Sequence, residues 1–299
     1  MKKHIERIDY KKALPWLVLI AIMFASKLAG EHFISEPMHR EKIPIFYLVI
    51  LFFGGLVIIG GKKGLKSVIT LIITVVAVVK ILIPLILAGY DPMMVSIVIC
   101  IVNIVVALLL ISGFNKKTLC AAIGTSAGVV IAGITAFVVG NMIQLNGLSS
   151  DEAIHIILYS KDIDFKGILF AGIIIGAMGA VMDVGMSIAS SMNEIEQANP
   201  GIGTKELINA GMNVGRDIMG TMADTLILAY VGSSLNIMLM FSTYEISLIE
   251  IISLDNIAAE IVRSLAGSIG LIFTVPITAA VAGFLRDKSI CQKEEKKTA

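Results

Sequence analysis

Asp183 lies in AGIIIGAMGAVMDVGMSIASSMNE (171–194), a stretch that otherwise reads as a membrane-spanning helix. A charge at bilayer depth costs roughly 2.5–3.5 kcal/mol on insertion scales, so it is kept where it faces a bundle interior or a watery cavity and serves an ion, a proton or a partner. Placed at 100° steps, Gly172, Gly176, Gly179, Asp183, Ser187, Ser190 and Glu194 share one face. Glycines at such spacing admit a close second backbone. The oxygen-bearing side chains that follow suit a proton or a hard cation better than a thiophilic metal. A second stripe, Asn213, Asp217, Thr221 and Asp224, runs along NVGRDIMGTMADTLILAYVG (213–232).

If these two segments are antiparallel across the loop between them, Glu194 and Asp217 lie near one boundary. Asp183 is then about 16 Å deeper than Glu194, and Asp224 about 10 Å deeper than Asp217, at 1.5 Å per residue. Facing carboxylates cannot both ionise cheaply; they share a proton, recruit a cation such as Arg216, or bind an ion. The expected transport or ion-binding set is therefore Asp183, Ser187, Ser190, Asn193, Glu194, Arg216, Asp217, Thr221 and Asp224, with no metal specified. The structural alternative is helix packing with Asp183 buried and protonated.

Other candidates are less specific. Glu260 and Arg263, three residues apart, read as an ion pair or an outer gate at the end of a helix, with Gly267, Gly270 and Thr274 continuing the same face. Met178, Met182 and Met186 form an i, i+4, i+8 row that suits core packing more than a soft metal site. Lys27 and Lys80 read as snorkelling side chains. Cys100, Cys120 and Cys291 have neither paired nor metal-type spacing, so no disulfide framework is expected. No Walker loop, zinc-type Cys/His cluster or nucleophile elbow is present in the sequence. No enzyme activity and no cofactor are expected.

The elements that must position these residues follow from composition. Of the residues, 57% are hydrophobic and 16% charged, with a mean hydropathy of +0.90. A crossing needs about 20 apolar residues. The reading is an all-α, polytopic transmembrane helical bundle in a single integral membrane domain, with about eight spans near 14–30, 44–61, 65–88, 93–112, 118–142, 167–192, 217–242 and 264–285. A signal-peptide reading of the first is opposed by its length and by the lack of a clean small-x-small cleavage site. Outside the spans, 149–160, with His155, reads as an external interfacial helix, and Thr204 as the cap of a short helix joining the sixth and seventh spans.

Charge layout sets the orientation. Lys2, Lys3, Arg7, Lys11 and Lys12, then Lys62, Lys63 and Lys66, then Lys116 and Lys117, and finally Arg286, Lys288, Lys293, Lys296 and Lys297 fall on one side. The opposite loops carry chiefly Arg40, Lys42, Lys161 and Lys166. Both termini are expected in the cytoplasm. The net charge of +1 gives no nucleic-acid footprint.

GAMGAVMDVGMSIASSMNEI (176–195) together with GRDIMGTMADTLILAYVG (215–232) resembles the YibE/F family of bacterial multispanning membrane proteins. The resemblance is strongest from about residue 165 to 285. It implies a multi-pass protein of the bacterial cytoplasmic (inner) membrane, permease-like and of unestablished substrate, with Asp183, Asn193, Glu194, Arg216, Asp217 and Asp224 in the family's motif region. It also implies that some members are encoded as neighbouring paired genes. Longer relatives carry an extra extracytoplasmic region where this chain has only 31–43.

The expected partners are the lipid bilayer, an unknown small solute or ion, and a paired homologue or a second copy; nucleic acid is not among them. The favoured function is movement of a small solute or ion with proton or cation coupling at Asp183 and Asp224. The alternative is a non-transporting membrane subunit that docks through Gly124, Gly128, Gly172 and Gly176. An intramembrane aspartyl protease is disfavoured, because the Gly-x-Gly-Asp pattern is missing around both residues.

Overall fold

The structure, a computed structural model, describes residues 43–148, 163–243 and 248–298. Every described element is helical: α1 (Ile43–Ala77), a π-helical turn (Val78–Leu82), α2 (Ile83–Leu87), α3 (Pro92–Ser112), α4 (Lys116–Met142), α5 (Phe165–Ala198), α6 (Thr204–Ser233), α7 (Leu235–Thr243), α8 (Leu248–Ile252) and α9 (Asp255–Thr298). The expected first span (14–30), Lys27 and the external helix with His155 lie outside the described residues. The chain divides into two compact units between Ile73 and Thr74, and all candidate site residues belong to the second.

Five helices among the described residues are long and apolar enough to cross a membrane: Tyr47–Leu87, Pro92–Ser112, Lys116–Met142, Phe165–Ala198 and Asp255–Leu285. This is fewer than the expected eight, for identifiable reasons. The spans expected at 44–61 and 65–88 fall in one helical run of 41 residues, about twice what one crossing needs. Gly61 breaks that run with φ 55° and ψ −133°, a conformation that glycine adopts without steric cost, next to the lysines at 62, 63 and 66. Further along, Pro84 has no N–H to offer the Lys80 carbonyl, and the π-helical turn through Lys80 lies immediately before it.

The span expected at 217–242 is corrected. The helix begins at Thr204 and ends at Ser233, where Ser234 turns the chain into α7. Arg216, Asp217 and Asp224 keep α6 out of the apolar class. Thr204 is likewise the first residue of this long helix and not the cap of a separate short one. Gly203 takes the cap position, and its N–H donates to Glu206 Oε2 at 3.3 Å. The last span starts at Asp255, earlier than the expected 264, so Glu260 and Arg263 sit inside the helix.

Helix starts follow ordinary capping chemistry. Asp91 accepts from the Met94 N–H at 2.8 Å, with Pro92 in the first turn; Asn115 accepts from Thr118 N–H at 2.9 Å, and Asp164 from Gly167 N–H at 2.9 Å. Packing is then decided by small residues. A β-carbon on Gly124 would lie 1.9 Å from Thr278 Oγ1, and one on Gly128 1.9 Å from Thr274 Oγ1 and 2.8 Å from the Gly270 carbonyl oxygen. α4 and α9 therefore meet almost backbone to backbone, the arrangement that small residues permit within a bilayer. Gly124 and Gly128 are thus consumed inside the chain and are not docking surfaces. Val129, Ile174, Val181, Ile188, Leu271 and Val275 complete the core between α4, α5 and α9.

The charge layout carries a direct test. Reporter fusions after Lys12 and after Lys288 should both report the cytoplasm, and an external signal from either would rule out the orientation deduced from the lysine-bearing loops.

Candidate functional site

α5 and α6 run antiparallel, and their register is read from three close approaches. A β-carbon on Gly215 would lie 3.3 Å from Ile188 Cδ1, one on Gly211 2.5 Å from Met192 Sδ, and one on Gly176 2.7 Å from the Tyr230 hydroxyl. Counted from the Tyr230 crossing, Asp183 is about 10 Å along α5 and Asp224 about 9 Å along α6; counted from the Ile188–Gly215 approach, the figures are about 8 Å and about 14 Å. The two carboxylates therefore lie within about one helical turn of each other in depth.

Their directions differ from the sequence expectation. Asp183, Asp217, Thr221 and Asp224 are all exposed. On α6 the buried line Leu207, Gly211 and Gly215 points away from Asn213, Asp217 and Asp224, with Thr221 nearer its margin. On α5 the buried line Ala177, Val181, Val184 and Ile188 lies opposite Gly172, Gly179 and Asp183. The structure thus places the stripes on the open sides of neighbouring helices and not face to face across a buried cleft. Among the described residues the surface between the close approaches is unfilled: β-carbons on Gly179 and Gly220 would meet nothing within 4 Å, and neither would one on Gly172, beyond the Tyr230 crossing. Met182, Ile218, Met219 and Met222, interleaved with these positions, pack against the core.

Within the described residues, the carboxylates of Asp183, Asp217 and Asp224 have neither a hydrogen bond nor an ion pair. Arg216 does not reach them, since its Nη1 donates to Asn213 Oδ1 at 3.0 Å. Thr221 Oγ1 donates back to the Ile218 carbonyl at 3.0 Å, which leaves its lone pairs free. Ser187, Ser190 and Asn193 are half-buried and Glu194 is exposed. Asn193 lines a small pocket of about 30 Å³ with Lys116, Lys117, Cys120 and Glu196, so the far end of the α5 stripe reaches the level of the α4 lysines. No group of three or more His, Cys, Asp or Glu side chains able to hold a metal occurs among the described residues.

The methionine row behaves as packing. Met178 is buried, Asn103 Nδ2 lies 3.7 Å from its sulfur, and Ser112 Oγ lies 3.9 Å from Met186 Sδ. Sequence reasoning missed Asn103, whose amide also donates to Thr74 Oγ1 at 2.8 Å. Its only signal was a lone amide in the apolar run of α3. It also missed Tyr230. The Glu260–Arg263 pair does form, with Arg263 Nη1 donating to Glu260 Oε1 at 2.5 Å. The Arg263 guanidinium carbon stands 5.9 Å from the centroid of the Tyr230 ring, inside the range of a cation–π contact. A largely apolar cavity of about 200 Å³ opens beside Tyr230, Glu260 and Ser264.

Apolar helices of spanning length, carrying exposed carboxylates level with their middle turns, define a helical membrane-embedded protein. The YibE/F-like protein family matches residues 48–288, and the chain belongs to that family. No curated protein matches it, and no solved structure does.

Proposed function

We propose that the protein is a permease-like component of the bacterial inner membrane that moves a small solute or ion, with Asp183 and Asp224 as the proton- or cation-coupling groups. The observation that carries this reading is the open stretch of α5 and α6. Among the described residues Asp183, Asp217 and Asp224 have no partner there, and Gly179 and Gly220 leave room beside them. At membrane depth such groups are costly unless an ion, a proton or a partner uses them. Hydroxyls and carboxylates without thiolate or imidazole suit a proton or a hard cation.

The outward direction of both stripes favours a second reading, in which the chain is an assembly subunit and a paired homologue or second copy covers this face. One experiment separates the two. A ligand bound only by the folded state stabilises it by mass action, about 2.7 kcal/mol at a hundredfold excess over Kd. Thermal melts of the detergent-solubilised protein across pH, Na⁺, Mg²⁺ and Ca²⁺ should therefore show a midpoint shift of several degrees for one of these. Asp183→Asn should melt normally without it and show no shift when it is added. No response in the parent protein, or the same response in the variant, would favour the assembly reading.

A further inference from the structure

Gly172, Gly176 and Gly179 are all exposed, yet among the described residues a β-carbon would meet nothing within 4 Å at Gly172 or Gly179, whereas one at Gly176 between them would meet a neighbour. That neighbour is the Tyr230 hydroxyl, 2.7 Å from the β-carbon position, which narrows the stripe at Gly176 without burying it. The tyrosine is in turn held from α9: Arg263 stands over its ring at 5.9 Å, and Glu260 fixes Arg263. Arg263 Nε and Glu260 Oε2 are themselves buried with no hydrogen-bond partner among the described residues, so the one bond between the two side chains carries their whole pairing. We propose that Tyr230 is the crossbar of the intramembrane path. It would separate the Gly172 side from the Gly179–Asp183 side, with Arg263 and Glu260 as the positioning residues that set it. This inference rests on the reading of the α5–α6 face as a solute or ion path. It also gives the Glu260–Arg263 pair a physical route to that path, through an aromatic ring and not through direct contact with the solute.

Geometry also supplies the test. Gly179 is the position for a cysteine, because among the described residues nothing lies within 4 Å of a β-carbon there. In a chain carrying Cys100→Ala, Cys120→Ala and Cys291→Ala, Gly179→Cys is challenged with a membrane-impermeant methanethiosulfonate. The reagent is applied to intact cells and to inside-out vesicles. With Tyr230 in place, labelling should occur from the side of Lys116 and Lys117 and be slow from the side of Asp91. Tyr230→Ala should speed labelling from the Asp91 side about tenfold, the gain expected when a state populated at roughly a tenth becomes the dominant one. Tyr230→Phe, which removes only the oxygen over Gly176, should give part of that gain. Arg263→Gln should reproduce it with Tyr230 intact, whereas Arg263→Lys, which keeps a cation over the ring, should not. A monodisperse gel-filtration profile and an unchanged melting midpoint in detergent serve as the folding control for every variant. Equal labelling from both sides in the parent, or no change in Tyr230→Ala, would overturn the crossbar while leaving a water-filled path. No labelling from either side in any folded variant would overturn the path itself, and the crossbar with it.

Discussion

Gly128→Leu should leave little folded protein, and its effect on stability should exceed that of any other single change in the α4 glycine row. The β-carbon alone would lie 1.9 Å from Thr274 Oγ1, 2.8 Å from the Gly270 carbonyl oxygen and 2.8 Å from Val181 Cγ1. None of these can easily withdraw. Thr274 is fully buried and its hydroxyl is tied to the Gly270 carbonyl at 2.8 Å, the Gly270 oxygen is backbone, and Val181 is core. Overpacking a well-filled core usually costs about 1–3 kcal/mol, and more where the neighbours are backbone. The control is Gly179→Leu, on the adjacent helix, where a β-carbon would meet nothing within 4 Å among the described residues. Thermal melts of the two variants in detergent should show a large fall for Gly128→Leu and little change for Gly179→Leu. Equal melting would mean that α4 and α9 are not in backbone contact.

These two glycines also show where sequence reading stops. Gly128 and Gly172 look alike in the chain, both small residues in apolar helices, and both suit a docking position. Only the neighbour's identity distinguishes them: Gly128 has Thr274 and Gly270 of α9 against it, while among the described residues a β-carbon on Gly172 would meet nothing within 4 Å. Periodicity records which residues share a face and not what that face meets. For the same reason the stripes of Asp183 and Asp224 were legible as stripes, whereas their outward direction was not. A wheel fixes relative angles on one helix, and the direction of the core enters only when Leu207, Gly211 and Gly215 are seen to be buried.

Spans were legible where composition decides them, as in α3, α4, α5 and α9, since a long apolar run has few alternatives to a spanning helix. The limits of α6 were not. Its first half, TKELINAGMNVG, is polar enough to read as a separate short helix, but Gly211 and Gly215 tuck against Met192, Ile188 and Val275 and hold it as part of one continuous helix. Tyr230 was invisible for a related reason: an aromatic near the end of an apolar segment is ordinary, and its role follows from a glycine on another helix.

The Asp183 and Asp224 carboxylates should prove to be one functional unit. Asp183→Asn and Asp224→Asn each keep the shape of the side chain and remove its charge, and neither residue has a hydrogen bond within the described residues to lose, so both variants should fold. In proteoliposomes read with dyes for H⁺, Na⁺, Mg²⁺ and Ca²⁺, either substitution should bring flux to background. The double variant should be hardly worse, because groups in one site interact and their effects do not add. Depth favours this outcome, since the register places the two within about one helical turn. Direction is what makes the experiment decisive. If the open sides of α5 and α6 form one path, a proton or cation passing it meets both carboxylates, and losing either breaks the passage. If instead each stripe is covered by a different neighbour, the losses should be partial and multiply. Asp217→Asn supplies the internal comparison: it lies two residues from Gly215 and the Ile188 approach, at the edge of the open stretch, and a smaller loss there would confine the coupling to the segment between that approach and Tyr230.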